Sequence, residues 1–429
     1  MDLEFLFLLM AVMGAIAARG PKSVFAHYMV GNAQSVSVEN WKSDITLAKN
    51  ALIDGFALNI GPQDGYTEQV LDRAYQAASE LGDFKMFISF DFLSAGPWPK
   101  ERVIKTINKY KGSPAQFVYQ NKPLVSTFEG VQNIDDWPSI REATGCFFVP
   151  DWTSLGPEGF KQVLDKVDGA FSWDAWPVGA QSKSSESDRK WMEAVGDKIY
   201  MMPISPWFYT NLPQWKKNWL WRGDDLWFDR WQQAIELQPN MIEIITWNDY
   251  GESHYIGPIH EAGIPSGAQQ YILGYPHDAW RVLLPDFIKA YKSGNSTGLL
   301  PHEDIITYWY RRNPSEACDD GGTTGNNPGQ GQPILKPGIV SEDKVFLTAA
   351  VTTASDVDVQ IGNATITKFR PRAAGIHHFN VPFNGQRGAV KITILRNGRE
   401  VVSTEGPAIT TDCRNGKINW NAFVGSSKG

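Results

Sequence analysis

Residues 241–258, MIEIITWNDYGESHYIGP, decide how the chain is read. The stretch begins with Met241, Ile242, Ile244 and Ile245, interrupted once by Glu243. An apolar, β-branched run without polar alternation is how a strand covered on both faces reads. The run then gives way to Thr246, Trp247, Asn248, Asp249, Tyr250, Gly251, Glu252, Ser253, His254 and Tyr255. Two carboxylates three residues apart, among aromatics and with a glycine to turn the backbone, stand where the strand should end. Polar groups that dense serve no packing purpose behind a buried strand. They mark a candidate site.

Seven similar runs precede it, at 24–31, 55–61, 85–92, 124–130, 145–153, 169–176 and 199–208. Between them, apolar residues keep a helical spacing: Trp41, Ile45, Ala48 and Leu52; Val70, Leu71, Ala74, Tyr75 and Ala78; Phe228, Trp231 and Ile235. Strands alternating with helices in this way predict an α/β fold, a (β/α)8 TIM-type barrel over 20–314, with 278–291 as its last helix. In such barrels the chemistry sits at the C-terminal ends of the strands. The predicted strands end in His27-Tyr28, Asn59, Asp91, Glu129, Asp151, Trp173-Asp174, Trp207 and Asp249 with Glu252. All of these are expected to line one mouth.

Past Arg311 the composition shifts. Residues 315–333 are rich in Gly, Pro, Asn and Asp and read as a flexible connector. From 334 to 429 short alternating strands, with an Asn397-Gly398 turn, predict a small β-sandwich, either a sugar-binding module or a packing domain. At the other end, the apolar run 5–18 closes in Ala15-Ile16-Ala17, so 1–19 reads as a signal peptide despite Asp2 and Glu4. Sequons at Asn295 and Asn363 suit a secreted, extracellular or cell-wall protein. Of the three cysteines, Cys146 lies in an apolar run and reads as a buried thiol. Cys318 and Cys413 lie in polar surroundings and are candidates for one disulfide. With no C-x-x-C or H-E-x-x-H spacing, neither a structural nor a catalytic zinc is expected.

A net charge of −7 argues against nucleic acid or an anionic membrane as partner, and the chain is expected to be a monomer. Its 17 Trp, 14 Tyr and 22 Phe can fill a core, and flat aromatic faces are also what sugar rings stack on. Cleaving a glycosidic bond takes one protonated and one ionised carboxyl. Asp249 and Glu252 fit that need, with Trp247 and Tyr255 as walls, His254 bonded to one of them and Asn248 beside them. Asp91 and Asp64 are the next carboxylates to consider. His27, Tyr28, Asn59, Glu129, Asp151, Trp173, Trp207 and Tyr209 are expected to contact substrate.

The blocks 26–32, 54–59, 87–91, 171–177, 205–209 and 246–258 resemble glycoside hydrolase family 71, the fungal α-1,3-glucanases or mutanases. The resemblance runs from about residue 22 to 312 and more loosely beyond. It implies a barrel that hydrolyses α-1,3-glucan with inversion and without a cofactor. The family's catalytic carboxylates fall on Asp249 and Glu252, and a further acidic position on Asp64. Asp174 stands where some relatives carry Asn, so it is assigned to binding only. Glu252 is expected as general acid and Asp249 as base, held the about 6.5–9.5 Å apart that inversion requires. Two rival readings stay open: a barrel glycosidase for another α-linked glycan, and a glucan-binding wall protein that does not cut.

Overall fold

The computed structural model describes residues 21–295 and 300–429, so the expected leader 1–19 lies outside the described residues. Eight strands run as β1 (Ser23–Met29), β2 (Gly55–Ile60), β3 (Lys85–Asp91), β4 (Lys122–Phe128), β5 (Phe147–Phe148), β6 (Gly169–Phe171), β7 (Ile199–Ile204) and β8 (Met241–Ile244). They alternate with helices α1 (Val38–Asn50), α2 (Thr67–Leu81), α3 (Lys100–Tyr110), α4 (Trp137–Thr144), α5 (Gly156–Phe160), α6 (Glu186–Val195), α7 (Leu226–Leu237) and α8 (Leu284–Ser293). The strands pair in parallel along β5-β4-β3-β2-β1-β8-β7-β6. Asp151 forms parallel bridges to Phe128 of β4 and to Phe171 of β6, so the two ends of this curled sheet meet at one residue.

The period-2 pleat explains both the core and the mouth. Phe25, Ala57, Phe87, Leu124, Phe147, Met201 and Met241 share an inner apolar core. Their neighbours Val24, Ala26, Phe56, Leu58, Met86, Val125, Met202 and Ile242 pack under the helices. Two residues further along the inner face, the same parity gives His27, Asn59, Ser89, Ser126 and Glu243. The interior therefore turns polar toward the C-terminal strand ends. Local signals set the helix ends: Ser37 and Asn40 form a capping box on α1, and Gly82, at φ 63°, closes α2.

Strands β9 (Ile305–Tyr310), β10 (Lys344–Val351), β11 (Asp356–Ile361), β12 (Thr367–Phe369), β13 (Gly375–Pro382), β14 (Gly388–Arg396), β15 (Arg399–Ile409) and β16 (Phe423–Lys428) build two four-stranded sheets, β13-β10-β9-β16 and β12-β11-β14-β15. Their paired registers are antiparallel, and Ile306, Leu347, Val357, Val359, Ile392 and Ile394 share a core. β9, which composition alone groups with the barrel, belongs to the first of these sheets. The other face of that sheet places Trp309, Phe346 and Ala350, with Trp420, in the helix-side core of the barrel. Trp309 Nε1 donates to the Asp224 carbonyl at 2.7 Å. One apolar core thus spans both halves.

Segment 315–333, expected to be a flexible connector, is fastened along its length. Cys318 is disulfide-bonded to Cys413, with Cα atoms 6.5 Å apart. Asn326 is buried, accepts from Gly179 N and donates to the Pro333 carbonyl. Polar composition marked the segment as loop, but its side chains are spent on anchoring rather than on solvent. Cys146 is a buried free thiol, and Asn295 and Asn363 are exposed.

A continuous core predicts one cooperative unfolding transition for the whole chain by calorimetry. Trp420→Ala, deep in the shared core, is expected to cost about 3–5 kcal/mol and to lower that single midpoint. Two separated transitions would show that the halves fold independently.

Candidate active site

After β8, through a cis Ile245–Thr246 peptide, the chain loops back on itself. Thr246 N donates to the His254 carbonyl, Ile256 N to that of Thr246 and Gly257 N to that of Trp247, all within 2.8–2.9 Å. Gly257 is required here, because a Cβ would lie 2.5 Å from Trp247 Nε1. The loop is also zipped to the end of β1. Met29 N donates to Asn248 Oδ1 at 2.7 Å, Asn248 Nδ2 returns a bond to the Met29 carbonyl at 3.1 Å, and Trp247 N donates to the His27 carbonyl at 2.7 Å.

This framework holds Asp249 and Glu252 on one turn, with Glu252 N donating to Asp249 Oδ1 at 3.2 Å. Lys217 Nζ lies 2.8 Å from Glu252 Oε1, and His254 Nε2 lies 3.0 Å from Oε2. The other ring nitrogen of His254 faces the Thr246 hydroxyl at 3.1 Å, which leaves Nε2–H to donate to the carboxylate. Burial would raise Glu252, but the Lys217 ammonium and His254 outweigh it and hold this carboxyl well below the usual range. Asp249 moves the opposite way. Burial raises it, the charge of Glu252 raises it further, and His254 with Lys217 only partly offset them. One oxygen of each carboxyl and one nitrogen of His254 lie within 4.8 Å of one another. The cation at this cluster is the ammonium of Lys217.

Lys217 also faces Asp91. Asp91 Oδ1 caps the following loop by accepting from Leu93 N and Ser94 N, each at 2.8 Å, and burial raises its carboxyl. Asn59 faces Asp91 from β2, and His27 faces it from β1. Below them His27 Nδ1 and Glu243 Oε1 pair at 2.6 Å, both fully buried, with the His27 ring against Trp173. Glu129 and Trp173 remain partly exposed at the mouth, Glu129 bonded to Ser154.

Several predicted contacts are framework instead. Tyr28 points to the helix side, stacked on Trp41 and bonded to Asp44. Trp247 is fully buried against Phe56 and Arg281. Tyr255 stacks on His277, Trp207 donates to the Trp420 carbonyl, and Tyr209 is buried against Tyr271. Asn248 spends both amide atoms on Met29. Asp151, fully buried, takes the Thr153 N–H and closes the sheet. Burial would raise Asp174, but Lys183 at 2.6 Å outweighs it and holds it low in an ion pair. Asp64 lies beside Gly31 and Gly61, facing Tyr66, and opens to a groove with Trp98 and Arg102. An aromatic or acidic residue at a strand end was a fair sign of the mouth, but strand parity sends alternate residues outward.

Lys217 was not legible in the sequence: it is 35 residues from Glu252 and opens a short hairpin strand that no periodic pattern announced. Glu243 was visible as the single charge in an apolar strand, which is the mark of a buried partnered carboxylate.

A family model described as Glycosyl hydrolase family 71 matches residues 20–429. The chain is 35% identical over 419 residues to glucan endo-1,3-alpha-glucosidase agn1 of Schizosaccharomyces pombe, covering 94% of each. It is 36% identical over 417 residues to the mutanase Pc12g07500 of Penicillium rubens, covering 95% of this chain and 89% of that one. Among solved structures, a GH99 endo-alpha-mannosidase of Bacteroides thetaiotaomicron overlaps 64% of this chain and 98% of its own, at 13% identity and a TM-score of 0.47.

Asn248→Ala is expected to lower stability by about 1–3 kcal/mol, because it leaves the part-buried Met29 backbone groups without their partner. The urea midpoint measures it. An unchanged midpoint would remove Asn248 from the framework.

Proposed function

Because the chain belongs to glycosyl hydrolase family 71, we propose that it is a secreted, monomeric endo-α-1,3-glucanase that hydrolyses α-1,3-glucosidic bonds of fungal-type wall glucan. The names of the two relatives support the substrate. The observation that carries the chemistry is the contact of Lys217 at 2.8 Å and His254 at 3.0 Å with Glu252, on the same turn at the C-terminal end of β8 as Asp249, which has Glu252 as its charged neighbour. A carboxyl that keeps its proton suits donation to the leaving oxygen, and one held ionised suits drawing a proton from water. Asp249 is therefore assigned as general acid and Glu252 as base. This reverses the roles expected from sequence, which had no view of Lys217.

Glu129, Trp173, Asp91 and Asn59 are assigned to the walls of the glucan site, and Asp64 to its margin. We read the fold as a (β/α)8 barrel with a packed β-sandwich. The Cys318–Cys413 bridge supports an oxidising compartment. Among the described residues no helix is long and apolar enough to cross a membrane.

A base that activates water gives inversion. In a second reading, Glu252, with one oxygen within 4.8 Å of an Asp249 oxygen, attacks the anomeric carbon directly and configuration is retained. NMR of the first product separates them: a β-anomer means inversion, an α-anomer retention.

Incubation with α-1,3-glucan is expected to release soluble oligosaccharides of mixed length, and their absence would sink the reading. Asp249→Asn and Glu252→Gln should each lose a factor of about 10² to 10⁴ in kcat, the usual contribution of a positioned acid or base. Near-normal turnover in either variant would strike that residue from the mechanism.

A further inference from the structure

Lys217 opens the second strand of a hairpin, Tyr209–Leu212 with Lys217–Leu220, inserted between β7 and α7. Its side chain is 38% exposed. A lysine on a flexible stem at that exposure contributes little when its backbone is free to move. Its influence on Glu252 therefore depends on what fixes the hairpin.

One edge of the hairpin is held by the catalytic loop, through Tyr209 N donating to the Glu252 carbonyl at 3.0 Å. The other edge is held from outside the barrel. Asn218 Nδ2 donates to the Gly321 carbonyl at 2.9 Å, and Thr323 Oγ1 donates to Asn218 Oδ1 at 2.8 Å. Leu220 N donates to the Thr324 carbonyl at 3.0 Å, and Trp219 forms a parallel bridge with Thr324. This outer segment is tied in turn by Cys318–Cys413, by Asp319 paired with Gly416 and Ile418, and by Trp420 Nε1 donating to the Asp320 carbonyl.

We propose that segment 318–326 is a working part of the active site: as an added strand on the hairpin it holds Lys217 against Glu252, which makes Lys217 a positioning residue and the C-terminal half a contributor to catalysis. The proposal rests on Glu252 acting as the base. Glu252 is faced by Lys217 from the hairpin and by His254 and Asp249 from its own loop, while Asp91 faces Lys217 from β3. The base works when ionised, and Lys217 favours the ionised form. Losing or loosening Lys217 therefore moves the acid limb of kcat/KM to higher pH.

The test compares pH profiles of the full chain and three variants, each first checked for folding by its melting curve. Lys217→Met is expected to move the acid limb up by about 1–3 pH units, the usual effect of losing an adjacent opposite charge. Lys217→Arg should restore it. Asn218→Ala combined with Thr323→Val should move it in the same direction by on the order of 1 pH unit, although neither residue touches Glu252. Asn218→Ser with Thr323→Val serves if the first combination does not fold. An acid limb unmoved in Lys217→Met overturns the positioning role. A limb that moves in Lys217→Met but stays in the Asn218/Thr323 variant overturns the role of segment 318–326. Infrared titration of the Glu252 carboxylate, taken as the difference from Glu252→Gln, should follow the same order without any turnover. A carboxylate that shifts in an otherwise inactive protein would sink the glucanase reading and leave standing only the hold of segment 318–326 on Lys217 and, through it, on the Glu252 carboxylate.

Discussion

The mouth of this molecule depends on how the chain leaves β8. A backbone that turns inside a protein must find partners for its N–H and C=O groups, and the last residues of β1 face the same demand. Asn248 meets both by bonding each backbone group of Met29, while Trp247 bonds His27. The two chain segments close each other. Once that seam is made, Asp249 and Glu252 have little freedom left, because they lie within four residues of it on a loop already closed by Thr246 and His254.

What distinguishes the two carboxylates is not their type but their neighbours. Both sit on one short turn, and either alone would be pushed up by burial. Lys217 and His254 both touch Glu252, whereas Asp249 is left with the charge of its partner beside it. At separations of a few ångströms, at reduced dielectric, one added cation is enough to decide which of two carboxyls keeps the proton. The proposed division of labour thus rests on a side chain from a different part of the chain.

The parts of this arrangement that repeat locally were legible in the sequence. Strand runs such as Gly55–Ile60 and the amphipathic pattern of α2 declare themselves within a few residues, and their alternation matches the α/β fold with its curled parallel sheet. Asp249 and Glu252 stood out because they follow a buried strand. The pleat hid more. Tyr28 and His27 are adjacent, yet one packs under a helix and the other pairs inside the barrel. Trp207 and Tyr255 looked like walls and are core. Pairings across long sequence separations, Lys217 with Glu252 or Asn218 with Thr323, leave no periodic trace. The glycine- and asparagine-rich run 315–333 misled for a related reason: composition reports a lack of regular structure, not a lack of anchors.

The core shared through Trp309 and Trp420 has a consequence for how such a molecule would travel on a solid polymer. A binding module on a loose tether can stay attached while its catalytic partner swings to a new site. Here the two halves are welded by buried indoles, so there is no swivel between them. Repositioning must involve the whole body, by release and re-docking or by threading the chain end through the mouth. Exchanging the C-terminal half for a foreign module would remove part of the catalytic half's own interior rather than detach a passenger.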